Sequence, residues 1–199
     1  MTAQIGDYYL YKGTRYSIVA ISKEIGFAPS QYGIIPEMKC TLCWKGYWCG
    51  YVITDDGLLL ENLYTNSQGG HYPTINGINA TVPKRKEHNT YDYIAADTHH
   101  HKYSGLKIPI CFTGKILLGN GSISKYCINM GYQQYWVYKE LKEFVFNSGK
   151  LVEINDYSQM AETARNKSDD LRKHLCDPEK FVEDSFFLDY DVKAWWIKR

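Results

Sequence analysis

The residues of this chain that most invite chemistry are the pair Cys40-Thr-Leu-Cys43 and the run His99-His100-His101. A CxxC on a tight turn is half of a zinc knuckle or the core of a thiol active site. Neither a second CxxC nor an HxxxH is present to complete a zinc set. Alternation argues further against shared ligation. Met38, Cys40, Leu42 and Trp44 would occupy one side of an extended chain, with Lys39, Thr41, Cys43 and Lys45 on the other. That is the period-two pattern of a half-buried strand. The pattern predicts a strand over 38–45 that turns back at Lys45-Gly46, its two thiols on opposite faces and buried as small hydrophobes.

In an extended segment His99 and His101 share a face, and with Asp97 or His71 they could hold a divalent cation. Their polar surroundings favour a solvated loop instead, so neither a metal nor another cofactor is expected. Cys49, Cys111 or Cys127 could be a nucleophile beside a distant histidine, although buried thiols that never react are commoner. The catalytic candidates are therefore His71, His99, His101 and Cys49. Gly-Asn-Gly-Ser at 119–122 and Ser-Gln-Gly-Gly at 67–70 match no phosphate-cradling pattern. Glu140, Glu143 and Glu153 could supply an acid/base pair of the kind that hydrolyses sugars, or merely surface charge. The basic run at 82–88 beside Tyr91, Tyr93 and Tyr103 only weakly resembles a stacking surface for single-stranded nucleic acid.

Aromatic residues make up 15% of the chain, including 18 Tyr and 5 Trp. Trp44, Tyr47 and Trp48 surround one predicted turn, and Tyr132, Tyr135 and Trp136 cluster in the second half. On strands, alternation would turn some of each set outward. Rigid aromatics give large contact area at low entropy cost, so these six are the candidate binding residues for a protein partner or a small ligand such as a sugar or base.

The elements that must position these residues are mostly strands. Residues 7–21 read as a hairpin turning at Lys12-Gly13, and Asp55-Asp56-Gly57 marks another, between Tyr47–Thr54 and "LLLENLY", completing a three-stranded meander with 38–45. Residues 65–107 read as a long polar loop, with a short strand near Tyr91–Ala95. Thr113-Gly114 predicts a hairpin, as does Asn147-Ser148-Gly149. "YVITDDGLLLENL" and "FVFNSGKLVEI" are similar enough that the two halves read either as diverged copies of one β unit or as a chance recurrence of turns. Beyond 157, Ser158 starts a helix with Met160, Ala164, Leu171 and Leu175 on its apolar side. Asp177-Pro178 starts a second helix carrying Phe181, Val182 and Phe186, and the tryptophans at 195 and 196 sit on a terminal strand.

Composition bounds the function. The 199 residues carry a net charge of +1, which provides no global field to draw nucleic acid or an anionic membrane. Between Glu153 and Asp191, eleven acidic residues face five basic ones, which suggests an acidic helical segment lying on a mildly basic body. No apolar run reaches the roughly 20 residues of a membrane span. The opening stretch lacks the basic and apolar regions of a signal peptide, so the six cysteines are expected as thiols in the cytoplasm.

The predicted fold is α+β and β-rich: antiparallel meanders in a sandwich or open barrel, followed by C-terminal helices. Residues 1–157 form the body with its 65–107 loop, and 158–199 form the acidic helical segment and terminal strand, one domain overall. The predicted function is non-catalytic binding through aromatic strand surfaces and the long loop, with a homodimer plausible. The competing reading is a hydrolase, metal-dependent or not, with a histidine site between that loop and the sheet.

Overall fold

Tight turns set the architecture. In the computed structural model, which describes residues 4–85, 89–127 and 133–166, Lys12 and Gly13 take φ of 49° and 79° and join β1 (Tyr8–Tyr11) to β2 (Thr14–Ile21). Two positive-φ residues in succession match the right-handed twist of the strands they connect. Asp55-Asp56 joins β3 (Tyr47–Thr54) to β4 (Gly57–Thr65), and Ser148-Gly149 joins β7 (Tyr138–Asn147) to β8 (Lys150–Asp156). With β5 (His101–Pro109) and β6 (Gly114–Ser122), these strands make one eight-stranded mixed sheet in the order β5-β4-β3-β1-β2-β6-β7-β8. Two antiparallel meanders, β3-β4-β5 and β6-β7-β8, flank the central β1–β2 hairpin. The fold is β-rich α+β, and the sheet does not close.

Several local expectations give way. Residues 38–45 form no strand: Cys43 N–H donates to Cys40 O (3.2 Å) and Gly46 N–H to Cys43 O (3.2 Å), two consecutive turns. The first meander is completed by β5 instead. Thr113-Gly114 is no hairpin either, since β5 and β6 lie in different halves of the sheet. β1 pairs with β3 in parallel, so the sheet is not built of antiparallel pairs alone. The stretch 65–107 contains α1 (Thr90–Asp97) and most of β5, and Tyr91–Ala95 is helical rather than extended. The two hairpins with similar sequences hold different places: β3–β4 are the first two strands of their meander, β7–β8 the last two.

Alternation divides the side chains among three apolar clusters. One face of the curled sheet buries Tyr9, Cys49, Tyr51, Leu60, Tyr103, Ile116, Leu118, Phe144 and Phe146 in the main core. The opposite face is covered twice. Over β1, β3 and β4, helix α1 and the 40–43 turn bury Tyr8, Trp48 and Tyr64. Over β2, β6 and β7, helix α2 (Ser158–Asn166) buries Val19, Leu117, Trp136 and Leu141. Ser158 does begin α2, but its Oγ accepts from Leu141 N–H (3.1 Å), while Asp156 Oδ1 accepts from Ser158 N–H (2.9 Å). Hydrogen bonding from the Ser158 side chain, and then from its backbone N–H, holds the Asp156 carboxyl below its ordinary pKa. The expectations for Leu171, Leu175, the Asp177 helix and the terminal strand lie outside the described residues.

Where the sheet would have to close, the two hairpin ends meet. Leu58 N–H donates to Gly149 O (3.2 Å), Ile110 N–H to Leu58 O (2.9 Å) and Gly149 N–H to Phe112 O (2.7 Å). A Cβ on Gly57 would overlap the Gly149 carbonyl, so the approach requires glycine.

Candidate functional site

The loop from Ile34 to Gly46 is pinned at both ends and along its length. Ile34 is fully buried and Cys43 nearly so. Pro36 bridges to Ser67, and Ile35 O accepts from Gln68 N–H (2.9 Å). On its other side the chain's first described residues hold it. Ile5 N–H donates to Leu42 O (2.8 Å), Gln4 Nε2 to Thr41 O (2.7 Å), and Gln4 Oε1 accepts from Trp44 N–H (3.0 Å). Asp7 takes the Lys45 ammonium (3.1 Å) and the Cys49 N–H (2.8 Å). Anchored this way, the loop exposes Ile35 (60%), Met38 (58%) and Trp44 (57%). Three of the seven large exposed apolar side chains among the described residues thus fall within ten positions. Large apolar groups held outward on a rigid frame are the usual make-up of a docking surface.

Beside the loop lies a layer of rings under α1. Tyr8 lies flat over Gly50, where any Cβ would overlap its ring. It packs at a tilt against Tyr91 (4.3 Å), and the Arg15 guanidinium lies 5.0 Å and 5.1 Å from these two rings. Asp92, buried on α1, accepts from Tyr64 Oη (2.7 Å) and Lys102 Nζ (2.7 Å). Asn62 Nδ2 donates to Tyr8 Oη (3.1 Å). Burial raises the hydroxyl pKa of Tyr8 and, aided by Tyr8 and Asp92, that of Tyr64. Both hydroxyls act as neutral hydrogen-bonding groups, that of Tyr64 tethering α1 to the sheet through Asp92 and that of Tyr8 joining β1 to β4 through Asn62.

His100 is the most constrained histidine. Asn66 Nδ2 donates to its Nε2 (3.0 Å), which places the ring proton on Nδ1, facing Thr98 Oγ1 (2.7 Å). Thr98 in turn donates to Ile94 O (2.7 Å), leaving its oxygen free to accept. The ring packs on Trp48 (4.6 Å). Burial drives its pKa down to about 4, with Lys39 and His101 opposing the charged form further. A histidine fixed in this neutral state is a structural member, not a proton carrier at neutral pH.

The sequence-predicted residues are scattered. His71 is exposed on the 65–80 stretch. His99 is exposed with φ of 56°; it follows the last turn of α1, where His100 N–H donates to Ala95 O (2.9 Å), the Schellman closure of a helix. His101 belongs to β5 and stacks on Tyr72 (3.8 Å). His99 is therefore not on an extended segment with His101. Among the described residues no three His, Cys, Asp or Glu side chains gather as a metal site.

Cys49 is wholly buried, and burial beside Asp7 pushes its thiol pKa well above the ordinary range, the wrong direction for a nucleophile. Of the predicted binding residues, Trp48 and Trp136 are buried core: α1 covers the strand face that carries Trp48, and Trp136 lies in a 3-10 turn at 135–137 that packs with α2. Tyr47 and Tyr135 are half-buried, and Tyr132 lies outside the described residues. Among the described members of the set, only Trp44 stands well exposed. Alternation assigned Met38 only to one face of the expected strand, and nothing singled out Ile35, since neither belongs to a chemical motif. No protein-family model matches the chain, and comparisons with curated proteins and with solved structures find no significant match.

Proposed function

We propose that this protein is a non-catalytic binding module that docks a protein partner on the rigid Ile34–Gly46 loop. The observation that carries this reading is the outward display of Ile35, Met38 and Trp44 on a segment anchored by Ile34, Cys43, Gln4 and Asp7. The loop is already ordered, so docking costs little conformational entropy, and a tryptophan at such a site commonly carries a large share of binding energy. The Glu37–Lys39 pair (3.5 Å) and Lys45 supply a mixed-charge rim. Support comes also from the interior, where the buried histidine and cysteines carry pKa shifts that favour their uncharged forms.

The test is a photo-crosslinker placed at position 44 or, as a control, at exposed Val152. A partner joined through 44 and not 152, whose affinity falls about thirtyfold or more with Trp44→Ala, supports the reading. Equal crosslinking at both positions, or an affinity untouched by Trp44→Ala and Met38→Ser together, refutes it. Self-crosslinking through 44 would identify the partner as a second copy of this chain.

A further inference from the structure

The turn at Cys40–Cys43 restores chemistry that an extended segment forbids. Its closing hydrogen bond, Cys43 N–H to Cys40 O at 3.2 Å, makes it a four-residue turn. Such turns hold their end Cα atoms within about 7 Å, and a disulfide bridges Cα atoms about 4.4–6.8 Å apart. Both side chains enter the same apolar cluster under α1. Cys40 is half-buried and so reachable, whereas Cys43 is buried with its Sγ donating to Tyr47 O at 3.4 Å.

We propose that Cys40 and Cys43 form a reversible intramolecular disulfide, with a low-molecular-weight disulfide of the glutathione class as the two-electron oxidant. The Cys40 thiolate attacks one sulfur of the small disulfide; an S–S bond forms to the protein as the small S–S bond breaks and one small thiol leaves. Cys43 then gives its proton to solvent and attacks the Cys40 sulfur, expelling the second small thiol. Two protein thiols and one small disulfide become one protein disulfide and two small thiols. A ring of four residues withdraws little entropy from the unfolded chain, so the bond belongs to the readily reduced kind.

Trp44 follows the turn directly, and Leu42, within it, is held by Ile5. Closing the bond removes the Cys43–Tyr47 contact and fixes covalently the segment that displays Met38 and Trp44. This chemistry rests on the turn alone, whatever the loop docks.

The experiment uses the full chain with Cys111, Cys127 and Cys176 replaced by serine, and in parallel the unsubstituted chain should the triple variant unfold. After incubation with oxidised glutathione, peptide mapping is expected to find a species lighter by two hydrogens, bridged between 40 and 43 and restored by dithiothreitol. In Cys43→Ser the glutathione adduct should remain trapped on Cys40. Because burial pushes the Cys43 thiol up to about 11, the adduct in the Cys43-containing chain should resolve about tenfold faster per pH unit from about pH 7 to 10. A persistent adduct on Cys40 in that chain, a Cys43–Cys49 bond, or no reaction at Cys40 would each overturn the proposal.

Discussion

Acidification should destabilise the fold through His100. The ring is fully buried and sits between Asn66, which donates to Nε2, and Thr98, which receives the Nδ1 proton. A second proton has nowhere to bond, since Asn66 presents its own N–H. The folded pKa of about 4 lies below the 6.5 of an exposed histidine. The unfolded chain therefore binds the proton first, so the stability is fully present above about pH 6.5 and is lost as pH falls towards 4. A separation of about 2.5 units corresponds to roughly 3 kcal/mol at the limit, of which about 2 kcal/mol is gone by pH 5.

Urea unfolding at pH 7.5 and at pH 5, on the wild type and on His100→Gln, isolates this from carboxylate titration. With an m-value of about 2 kcal/mol per M, the wild-type midpoint should fall about 1 M further than the variant's over that interval. Equal shifts in the two proteins, or an NMR titration of the His100 ring near 6.5, would refute the reasoning.

Asp92→Ala leaves the partly buried Lys102 without its counter-charge and should cost about 2 kcal/mol in denaturant unfolding, whereas adding Lys102→Met should recover most of that loss. Gly57→Ala drives a methyl group into the Gly149 carbonyl and should lower stability by about 2 kcal/mol or more in the same assay; a change under about 0.5 kcal/mol would deny that the hairpin ends touch. His99→Gly relieves a left-handed residue at the end of α1 and should raise the thermal midpoint slightly, worth up to about 1 kcal/mol, a result a metal-ligating His99 would not give. Cys49 should stay unmodified by an aromatic disulfide reagent until the protein unfolds, as followed by thiol release against denaturant.

What the sequence revealed is what short-range chemistry decides. Lys12-Gly13, Asp55-Asp56 and Ser148-Gly149 bend the chain by their own backbone preferences, so three hairpins were legible. The start of α2 was legible too, from Ser158 and its apolar side. Alternation misled at 38–45 because eight residues can alternate by chance, while Pro36 and the left-handed Gly46 confine them to turns. Helix α1 was hidden by its polarity, with Tyr91, Ile94 and Ala95 its contribution to the apolar cluster; the available signal was Asn89, whose side chain accepts from Asp92 N–H (3.4 Å).

The parallel β1–β3 pairing and the distance between β5 and β6 depend on contacts far apart in the chain, which local patterns do not encode. Burial of Trp48 followed from a helix covering a face that alternation alone leaves open, and Trp136 stands in a turn to which strand alternation does not apply. The exposure of Ile35, Met38 and Trp44 went unread because exposure is decided by what fails to pack upon a segment.

The junction of Leu58, Gly149 and the 110–112 segment also has a consequence for synthesis on the ribosome. The middle of the sheet emerges first, as β1 and β2, and strands are then added outward on either side. The last hairpin must come back to seat its tip against one made some ninety residues earlier. Until that tip leaves the exit tunnel, the nascent sheet has an unlatched end, so arrested chains stopping short of Gly149 should be far more protease-sensitive than those extending a few tens of residues past it.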